Sequence, residues 1–319
     1  LPSCGLKKVT YLKRPPLDDS MELVVLGTSA MVPTKDRNHS AYLLLHRTEG
    51  MLLDCGEGTQ RQLSYAGIAH SKVTRILLSH WHGDHVLGLP GLLMTMSQGT
   101  PGRTVIIYGP SGTRQHVRSV LDTFEFKQQL DLDVREVHKG AVFETEDLLV
   151  SAMPLHHGIP CVGYRIAEKD RRRINLAKVK KLGIPEGPLL GKLQRGEEVI
   201  WKGKPVHPKD TTTIVKGTIV AFVTDTSPCK EAHELAENAD LLVCEASYTS
   251  TLEEKAEEYT HMTARQAAQL ASQAGVKKLL ITHFSARYRT TPELLEDAKT
   301  AFQNTIAAHD LMKVSLDKK

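Results

Sequence analysis

Short apolar runs separated by polar and glycine-containing turns recur along the chain and predict a framework of strands. The runs are rich in leucine, isoleucine and valine, and several are too hydrophobic for an exposed sheet edge. They occupy residues 23–26, 41–46, 51–54, 75–79, 104–108, 132–137, 148–154, 161–166, 214–223, 241–244 and 278–282. We therefore expect most of this framework to be buried.

Helical patterns are interspersed with these runs at residues 57–66, 87–98, 111–121, 229–238, 263–274 and 292–308. The fifth is the clearest, because Thr263 and Gln266 have the spacing of a capping box and Gly275 supplies the stop. Strands and helices in this mixture predict an α/β fold in which sheets are sandwiched by helices.

One segment, at about residues 171–208, has few β-branched pairs and is interrupted repeatedly by glycine and proline. This pattern predicts a protruding arm rather than core. A chain of 319 residues can bury one large core plus such an insert, so we expect one domain over residues 21–319. Residues 1–20 show no clear periodicity, and we interpret them as an N-terminal extension, non-native if the native start is Met21.

Composition narrows the class of protein. No apolar run approaches the roughly 20 residues that cross a bilayer, and the five cysteines are scattered without a CxxC pair. We therefore expect a cytoplasmic protein with no disulfide framework and no thiolate zinc site. The net charge is +4, but residues 168–209 carry twelve Lys and Arg against five Asp and Glu, a balance of +7. Such a segment is either ordinary solvated surface or a grip on a phosphate backbone.

The sharpest chemical signal is the sequence SHWHGDH at residues 79–85, directly after the apolar run 75–79. Three imidazoles and one carboxylate in a single turn form the ligand set that zinc prefers. Three other apolar runs also stop at ligand-type side chains, which are Asp225, His283 and the pair His156 and His157. Since an α/β sheet presents its active site at one set of strand ends, we expect these side chains to converge.

The turn has the spacing HxHxDH and resembles the metallo-β-lactamase superfamily. That resemblance implies an αββα sandwich holding two Zn²⁺ ions per subunit. It assigns one zinc to His80, His82 and His157, the other to Asp84, His85 and His283, and a bridging role to Asp225. His157 is preferred to His156 because the ligand of the superfamily directly precedes a glycine.

Two cations bridged by a carboxylate can share a water, lower its pKa and aim it at phosphorus or at a carbonyl. Asp84 is then suited to orient that nucleophile, and hydrolysis is the expected reaction class. The turn alone leaves the substrate open, because lactamases, glyoxalases, sulfatases and nucleases all use it.

Three further segments resemble the ribonuclease Z family. Residues 33–38 match its PxKxRN loop, residues 54–60 match DCGEGTQ, and residues 282–288 match THxSxRY. The resemblance extends from Met21 to about Tyr288. It implies a zinc-dependent endoribonuclease that cleaves precursor tRNA on the 3′ side of the discriminator nucleotide and leaves a 3′-hydroxyl. It also implies that the arm is a flexible exosite for tRNA and that the protein is a homodimer.

Cleavage of a phosphodiester also needs cations at the phosphate and a proton donor for the leaving oxygen. The candidate phosphate contacts are Lys35, Arg37, Asn38, Ser285 and Arg287. His261 is the candidate general acid and Glu245 the group that holds its tautomer, or both are unrelated surface residues. They fall where the family carries HST and HEAT, but this chain has Cys244 and Met262 within those motifs. We expect these departures to alter rate or pH dependence rather than abolish activity.

Two rival hypotheses remain open at this stage. One is a hydrolase of the same superfamily acting on a small thioester, sulfate ester or cyclic phosphodiester. The other is a non-catalytic RNA-binding subunit, which the filled ligand positions disfavour. The basic arm together with Lys35, Arg37 and Arg287 favours RNA, because a neutral small substrate would not require these cations.

Overall fold

The computed structural model describes residues 21–316, so the predicted extension at residues 1–20 lies outside the described residues. The strands of the first half are β1 (Met21–Gly27), β2 (Ser29–Ala30), β3 (Ala41–His46), β4 (Glu49–Leu53), β5 (Arg75–Leu77), β6 (Thr104–Gly109), β7 (Asp131–Glu136), β8 (Gly140–Glu144), β9 (Leu148–Pro154) and β10 (Val162–Glu168). Those of the second half are β11 (Arg171–Ile174), β12 (Val199–Trp201), β13 (Lys204–Val206), β14 (Thr212–Val215), β15 (Ile219–Val223), β16 (Leu241–Glu245), β17 (Leu279–Thr282), β18 (Phe284–Ser285), β19 (Thr305–Ala307) and β20 (Lys313–Ser315).

The helices of the described chain separate these strands. They are α1 (Thr59–Tyr65), α2 (Gly83–Val86), α3 (Leu89–Gly99), α4 (Thr113–Asp122), α5 (Leu176–Leu182), α6 (Pro188–Gln194), α7 (Pro208–Thr211), α8 (Lys230–Ala236), α9 (Glu253–Glu258), α10 (Ala264–Gln273) and α11 (Pro292–Lys299). The predicted capping box of α10 is confirmed, since Thr263 and Gln266 exchange both hydrogen bonds. Gly275 follows the helix with φ 66°, the conformation that glycine adopts without strain.

Two large sheets form the centre of the molecule. The first has the strand order β20-β1-β3-β4-β5-β6-β7 and the second β19-β17-β16-β15-β10-β9-β8. Their facing sides bury Leu44, Leu53, Tyr164 and Phe222 in one cluster. The outer side of the first sheet packs against α1, α3 and α4, and that of the second against α8, α10 and α11. The prediction of an αββα sandwich is confirmed.

Parallel strands direct their carboxyl ends toward one edge of the sandwich. In the first sheet β4, β5 and β6 are parallel, and in the second β15, β16 and β17 are parallel. The segments that follow these strands therefore meet at the same edge, which is where sheets of this kind carry their sites.

Two sequence predictions about elements were wrong. The run 214–223 is not one strand, because the chain turns at Gly217, where a Cβ would lie 1.6 Å from the carbonyl oxygen of Glu168. The helix predicted at 292–308 ends at Lys299, and β19 follows as a parallel partner of β17. Pairing of β19 with β17 at the sheet edge outweighs the weak helical pattern of this segment. Such a tertiary contact cannot be predicted from local periodicity.

The segment predicted as an arm has a two-stranded stem at its base, in which β11 and β14 pair antiparallel. Beyond the stem, α5, α6, α7 and the hairpin β12–β13 enclose a small cluster separate from those of the sandwich. Its buried members are Val179, Ile184, Leu193, Val199 and Val206. In the described part of the chain, no helix is both long and apolar enough to cross a membrane.

Candidate active site

The first ligand group lies where the turn after β5 meets the loop after β9. It contains His80, His82, His157 and Asp225, whose candidate ligand atoms all lie within 4.8 Å of one another. His82 Nδ1 is 3.1 Å from His80 Nε2 and 3.2 Å from His157 Nε2. His80 Nε2 is 3.6 Å from Asp225 Oδ2. Of the two neighbouring histidines, His157 therefore enters the group, and the exposed His156 does not.

The second group lies beside the first and contains Asp84, His85 and His283, with Asp225 shared between both. His85 Nε2 and His283 Nε2 are 3.2 Å apart, and each is 3.4 Å from Asp84 Oδ2. Asp225 Oδ2 lies 3.4 Å from His85 Nε2, while Oδ1 lies 3.3 Å from His283 Nε2. The seven predicted ligands thus converge as two groups that share one carboxylate.

Neighbouring side chains determine which ring nitrogen of each histidine carries the proton. Ser79 Oγ donates to Asp54 Oδ2 at 2.9 Å, so it accepts from His80 Nδ1 at 2.9 Å. His85 Nδ1 donates to Asp54 Oδ2 at 2.7 Å. In both rings Nδ1 is thereby occupied, and Nε2 faces the group. Asp54, a buried residue with φ 56° after β4, orients two ligands at once.

Two hydroxyl groups act in the same way on the other histidines. Thr260 Oγ1 donates to the carbonyl of Tyr259 and accepts from His157 Nδ1 at 2.8 Å. Ser247 Oγ donates to Glu245 Oε2 at 2.8 Å and accepts from His283 Nδ1 at 3.1 Å. None of these four outer partners was predicted from the sequence. Only Asp54 carried a usable signal, a carboxylate directly after a buried strand.

These groups have the character of a metal site. Within the two groups, ring nitrogens of neighbouring histidines face one another at 3.1–3.2 Å. Tetrahedral zinc with ligands at ~2.0–2.1 Å would separate its donor atoms by ~3.4 Å, close to these distances. Asp225 Oδ1 is buried without a hydrogen-bond donor, as expected of an atom reserved for a cation. Burial also lowers the pKa of His80 well below its ordinary value, which keeps it neutral as ligation requires.

Asp84 is held by the backbone of a loop from the first sheet. The N–H of Met31 donates to Asp84 Oδ2 at 2.9 Å, and Met31 has φ 54°. Its carbonyl lies 3.1 Å from Nε2 of the buried His39. The carboxylate therefore has one oxygen fixed by the protein at the edge of the second group.

The predicted acid pair is present. His261 Nδ1 lies 3.0 Å from Glu245 Oε1 and 3.1 Å from Oε2, and Glu245 is fully buried. Burial lowers the pKa of His261, but the adjacent Glu245 carboxylate outweighs it and raises the pKa to about 9. The His261 ring lies 5.4 Å from the His157 ring and 5.5 Å from the His283 ring. The Glu245 carboxylate thus favours the protonated form of an imidazole that lies beside both ligand groups.

Three of the predicted phosphate contacts lie where a substrate can reach them. Lys35 is exposed, and Arg287 is exposed with its guanidinium 5.7 Å from the centre of the Tyr248 ring. The Tyr248 ring in turn contacts His261, at 6.4 Å between centres. Ser285 is half-buried in the short strand β18.

The other two are held by hydrogen bonds to distant parts of the chain. Arg37 is 8% exposed, and its guanidinium donates to the carbonyl of Tyr288. Asn38 donates from its backbone to Asp310 Oδ2 at 2.7 Å and from its side chain to the carbonyl of Glu57 at 2.6 Å. The structure thus gives both residues contacts that hold the 33–38 loop against the sandwich.

Cys244 and Met262, the departures from the family motifs, are fully buried in the cluster between the second sheet and its helices. Burial raises the pKa of the Cys244 thiol well above its ordinary value. Both side chains therefore pack as apolar groups and leave the Glu245–His261 pair intact.

Fold and site together define a class of protein. A model described as a beta-lactamase superfamily domain matches residues 204–284, and one described as anti-Pycsar protein Apyc1 matches residues 21–170. The solved short form of human tRNase Z is similar with a TM-score of 0.70 and 26% identity, covering 93% of this chain and 100% of that one. The chain is a hydrolase of the metallo-β-lactamase fold.

Curated relatives identify the family. Ribonuclease Z of Methanothermobacter thermautotrophicus is 41% identical over 93% of this chain and 97% of its own length. Ribonuclease Z of Bacillus licheniformis is 41% identical over 91% of this chain and 97% of its own length. The chain therefore belongs to the ribonuclease Z family and is a hydrolase of the endoribonuclease type.

Proposed function

We propose that this protein cleaves precursor tRNA on the 3′ side of the discriminator nucleotide, removing the 3′ trailer and leaving a 3′-hydroxyl. The observation that carries the proposal is the position of the His261–Glu245 pair directly beside two ligand groups that share Asp225. Such a site offers both charge stabilisation and a proton, which hydrolysis of a phosphodiester requires.

We propose two zinc ions per subunit as the cofactors, one in each ligand group. Histidine and carboxylate donors suit zinc, and each group of described residues supplies four of them, with Asp225 counted in both. When bound, zinc would lower the pKa of a water toward neutrality and offset the negative charge of the phosphate.

The side chains of the protein divide the remaining work. Asp84, with one oxygen fixed by Met31, orients the attacking water through its carboxylate. His261 gives its Nε2 proton to the leaving 3′-oxygen, while Glu245 holds Nδ1 and stabilises the charged imidazole. Arg287 and Lys35 offer exposed cations to the phosphates beside the cut. Arg37 and Asn38 serve by positioning the loop that carries Lys35.

The basic arm is proposed to grip the body of the tRNA at a distance from the cut. Its charge balance of +7 over residues 168–209 favours a phosphate backbone through counterion release, without reading sequence. A homodimer, in which the arm of one subunit serves the site of the other, is part of the same proposal.

The first test is incubation with an end-labelled precursor tRNA, with and without a chelator, and mapping of the cut to the nucleotide. We expect cleavage next to the discriminator, lost with chelator and in Asp84→Ala. Hydrolysis of small diesters with no cut in precursor tRNA would instead favour the small-ester alternative. Protein that binds precursor tRNA without any hydrolysis would favour the non-catalytic one.

A second test separates the arm from the chemistry. Replacing residues 174–207 by a short linker that joins β11 to α7 should weaken binding of precursor tRNA severely. Hydrolysis of a small chromogenic phosphodiester should be spared, because the arm has its own hydrophobic cluster. Equal loss on both substrates would contradict this division of labour.

A further inference from the structure

A groove of about 330 Å³ opens on the same edge of the sandwich as the metal groups. One wall is formed by Pro110 and Ser111, directly after β6, and the other by Leu155, Ile159 and Pro160 in the loop between β9 and β10. Among residues 21–316, no carboxylate, lysine or arginine lines it. Its size falls in the range of roughly 300–1,000 Å³ that is usual for small-ligand sites.

Both walls of this groove continue from the segments that hold the first ligand group. Ile159 follows the ligand His157 by two residues in the same loop. On the other side, Trp81 lies between two ligands in the 80–85 turn, and its Nε1 donates to Thr113 Oγ1 at 2.8 Å. Thr113 Oγ1 donates in turn to the carbonyl of Pro110 at 2.7 Å. Both walls are therefore anchored to segments that carry members of the first ligand group.

The lining indicates the chemistry of the occupant. Three proline rings and three aliphatic side chains offer apolar contact, which a phosphate would not occupy without a cation. His138 and Ser111 supply polar atoms at the rim. An unpaired nucleobase combines a flat apolar face with a polar edge, and it is the part of an RNA strand that fits such a lining.

Strand order indicates which nucleotide this is. The proton donor His261 pairs with Glu245 at the end of β16, and Asp225 follows β15. The groove lies beyond them, at the ends of β6 and β9. Because the leaving oxygen belongs to the tRNA body, the body lies toward His261, and the trailer continues toward the groove. We propose that this groove binds the base of the first trailer nucleotide, an inference that rests on the proposed function.

The test uses two perturbations, a substitution that fills the groove and an RNA that lacks the base proposed to occupy it. Ser111→Trp places a bulky ring at the exposed wall, and Ser119→Trp on the exposed part of α4 is the matched control. Substrates are a precursor tRNA with an intact trailer and the same RNA with an abasic first trailer nucleotide. Single-turnover rates, zinc content and hydrolysis of methyl p-nitrophenyl phosphate are measured for each protein.

We expect Ser111→Trp to lower kcat/KM roughly 10-fold on the intact precursor, the lower part of the range for losing one stacked base. The unmodified protein should cut the abasic substrate roughly 10-fold more slowly than the intact precursor. Ser111→Trp should cut the abasic substrate no more slowly than it cuts the intact precursor. Zinc content, small-diester hydrolysis and the Ser119→Trp control should be unchanged. If Ser111→Trp slowed cleavage of both RNAs equally, or of neither, the groove assignment would be overturned. Failure of the unmodified protein to cut any precursor tRNA would instead remove the proposed function, and the groove assignment with it.

Discussion

Thr260 offers the sharpest test of how the protein prepares its first ligand group. It is a β-branched residue with φ 55°, a backbone conformation that such residues rarely adopt. In this position His157 Nδ1 meets two acceptors of Thr260, Oγ1 at 2.8 Å and the carbonyl oxygen at 3.2 Å. Thr260→Val preserves the shape and the backbone strain but removes the hydroxyl.

The expected magnitude follows from what remains after the change. Losing the partner of a metal-bound histidine typically lowers metal affinity 10- to 100-fold. Here the Thr260 carbonyl can still accept from His157 Nδ1, so the loss should be near the lower limit. One net hydrogen bond of about 0.5–1.5 kcal/mol corresponds to roughly 2- to 13-fold. We therefore expect about 10-fold weaker binding of one zinc equivalent, and Thr260→Ser should restore it.

The assay is a titration of metal-free protein with zinc in competition with a chromophoric chelator, which resolves the two equivalents. Only the weaker affinity of one equivalent should change, with the thermal midpoint of the metal-free protein unaltered. Two results would refute the reasoning. One is equal weakening of both equivalents, and the other is a Thr260→Ser variant that behaves like Thr260→Val.

Three other predictions address the bridge, the acid pair and the fold. Asp225→Ala should abolish tight binding of at least one zinc equivalent, measured by elemental analysis after dialysis, and full retention would exclude a bridging role. Glu245→Gln should lower the single-turnover rate about 100-fold or more, the contribution typical of acid–base catalysis, while zinc content stays unchanged; an unaltered rate would remove the pair from the mechanism. Thr263→Ala should cost about 1 kcal/mol in the free energy of unfolding, since it deletes the cap of α10; chemical denaturation checks this, and a change within error would show that the cap is dispensable.

The sequence was informative where a physical constraint is local. The convergence of Asp225 and His283, candidate ligands directly after buried strands, could be predicted because strand ends of an α/β sheet share an edge. The capping box of α10 needs only residues three positions apart. These features require no knowledge of distant partners.

Other features depend on partners that are far apart in sequence and could not be predicted. Ser247 and Thr260 act on His283 and His157 across 36 and 103 residues, and no periodicity marks them. β19 forms only because β17 offers it an edge, so its helical pattern was misleading. Arg37 was predicted as a phosphate contact from the PxKxRN loop and its charge; its burial and its contact with the carbonyl of Tyr288, 251 residues away, have no local sequence signal.

The shared edge of the two sheets has a mechanical consequence. The residues of the two groups follow strands of different sheets. Those after a strand of the first sheet are His80, His82, Asp84 and His85, and those after strands of the second are His157, Asp225 and His283. Any cation held by either group would therefore cross-link the two halves of the sandwich. Metal binding should stiffen the junction between the two halves. Removal of the ions should let the two sheets separate at this edge before either half unfolds.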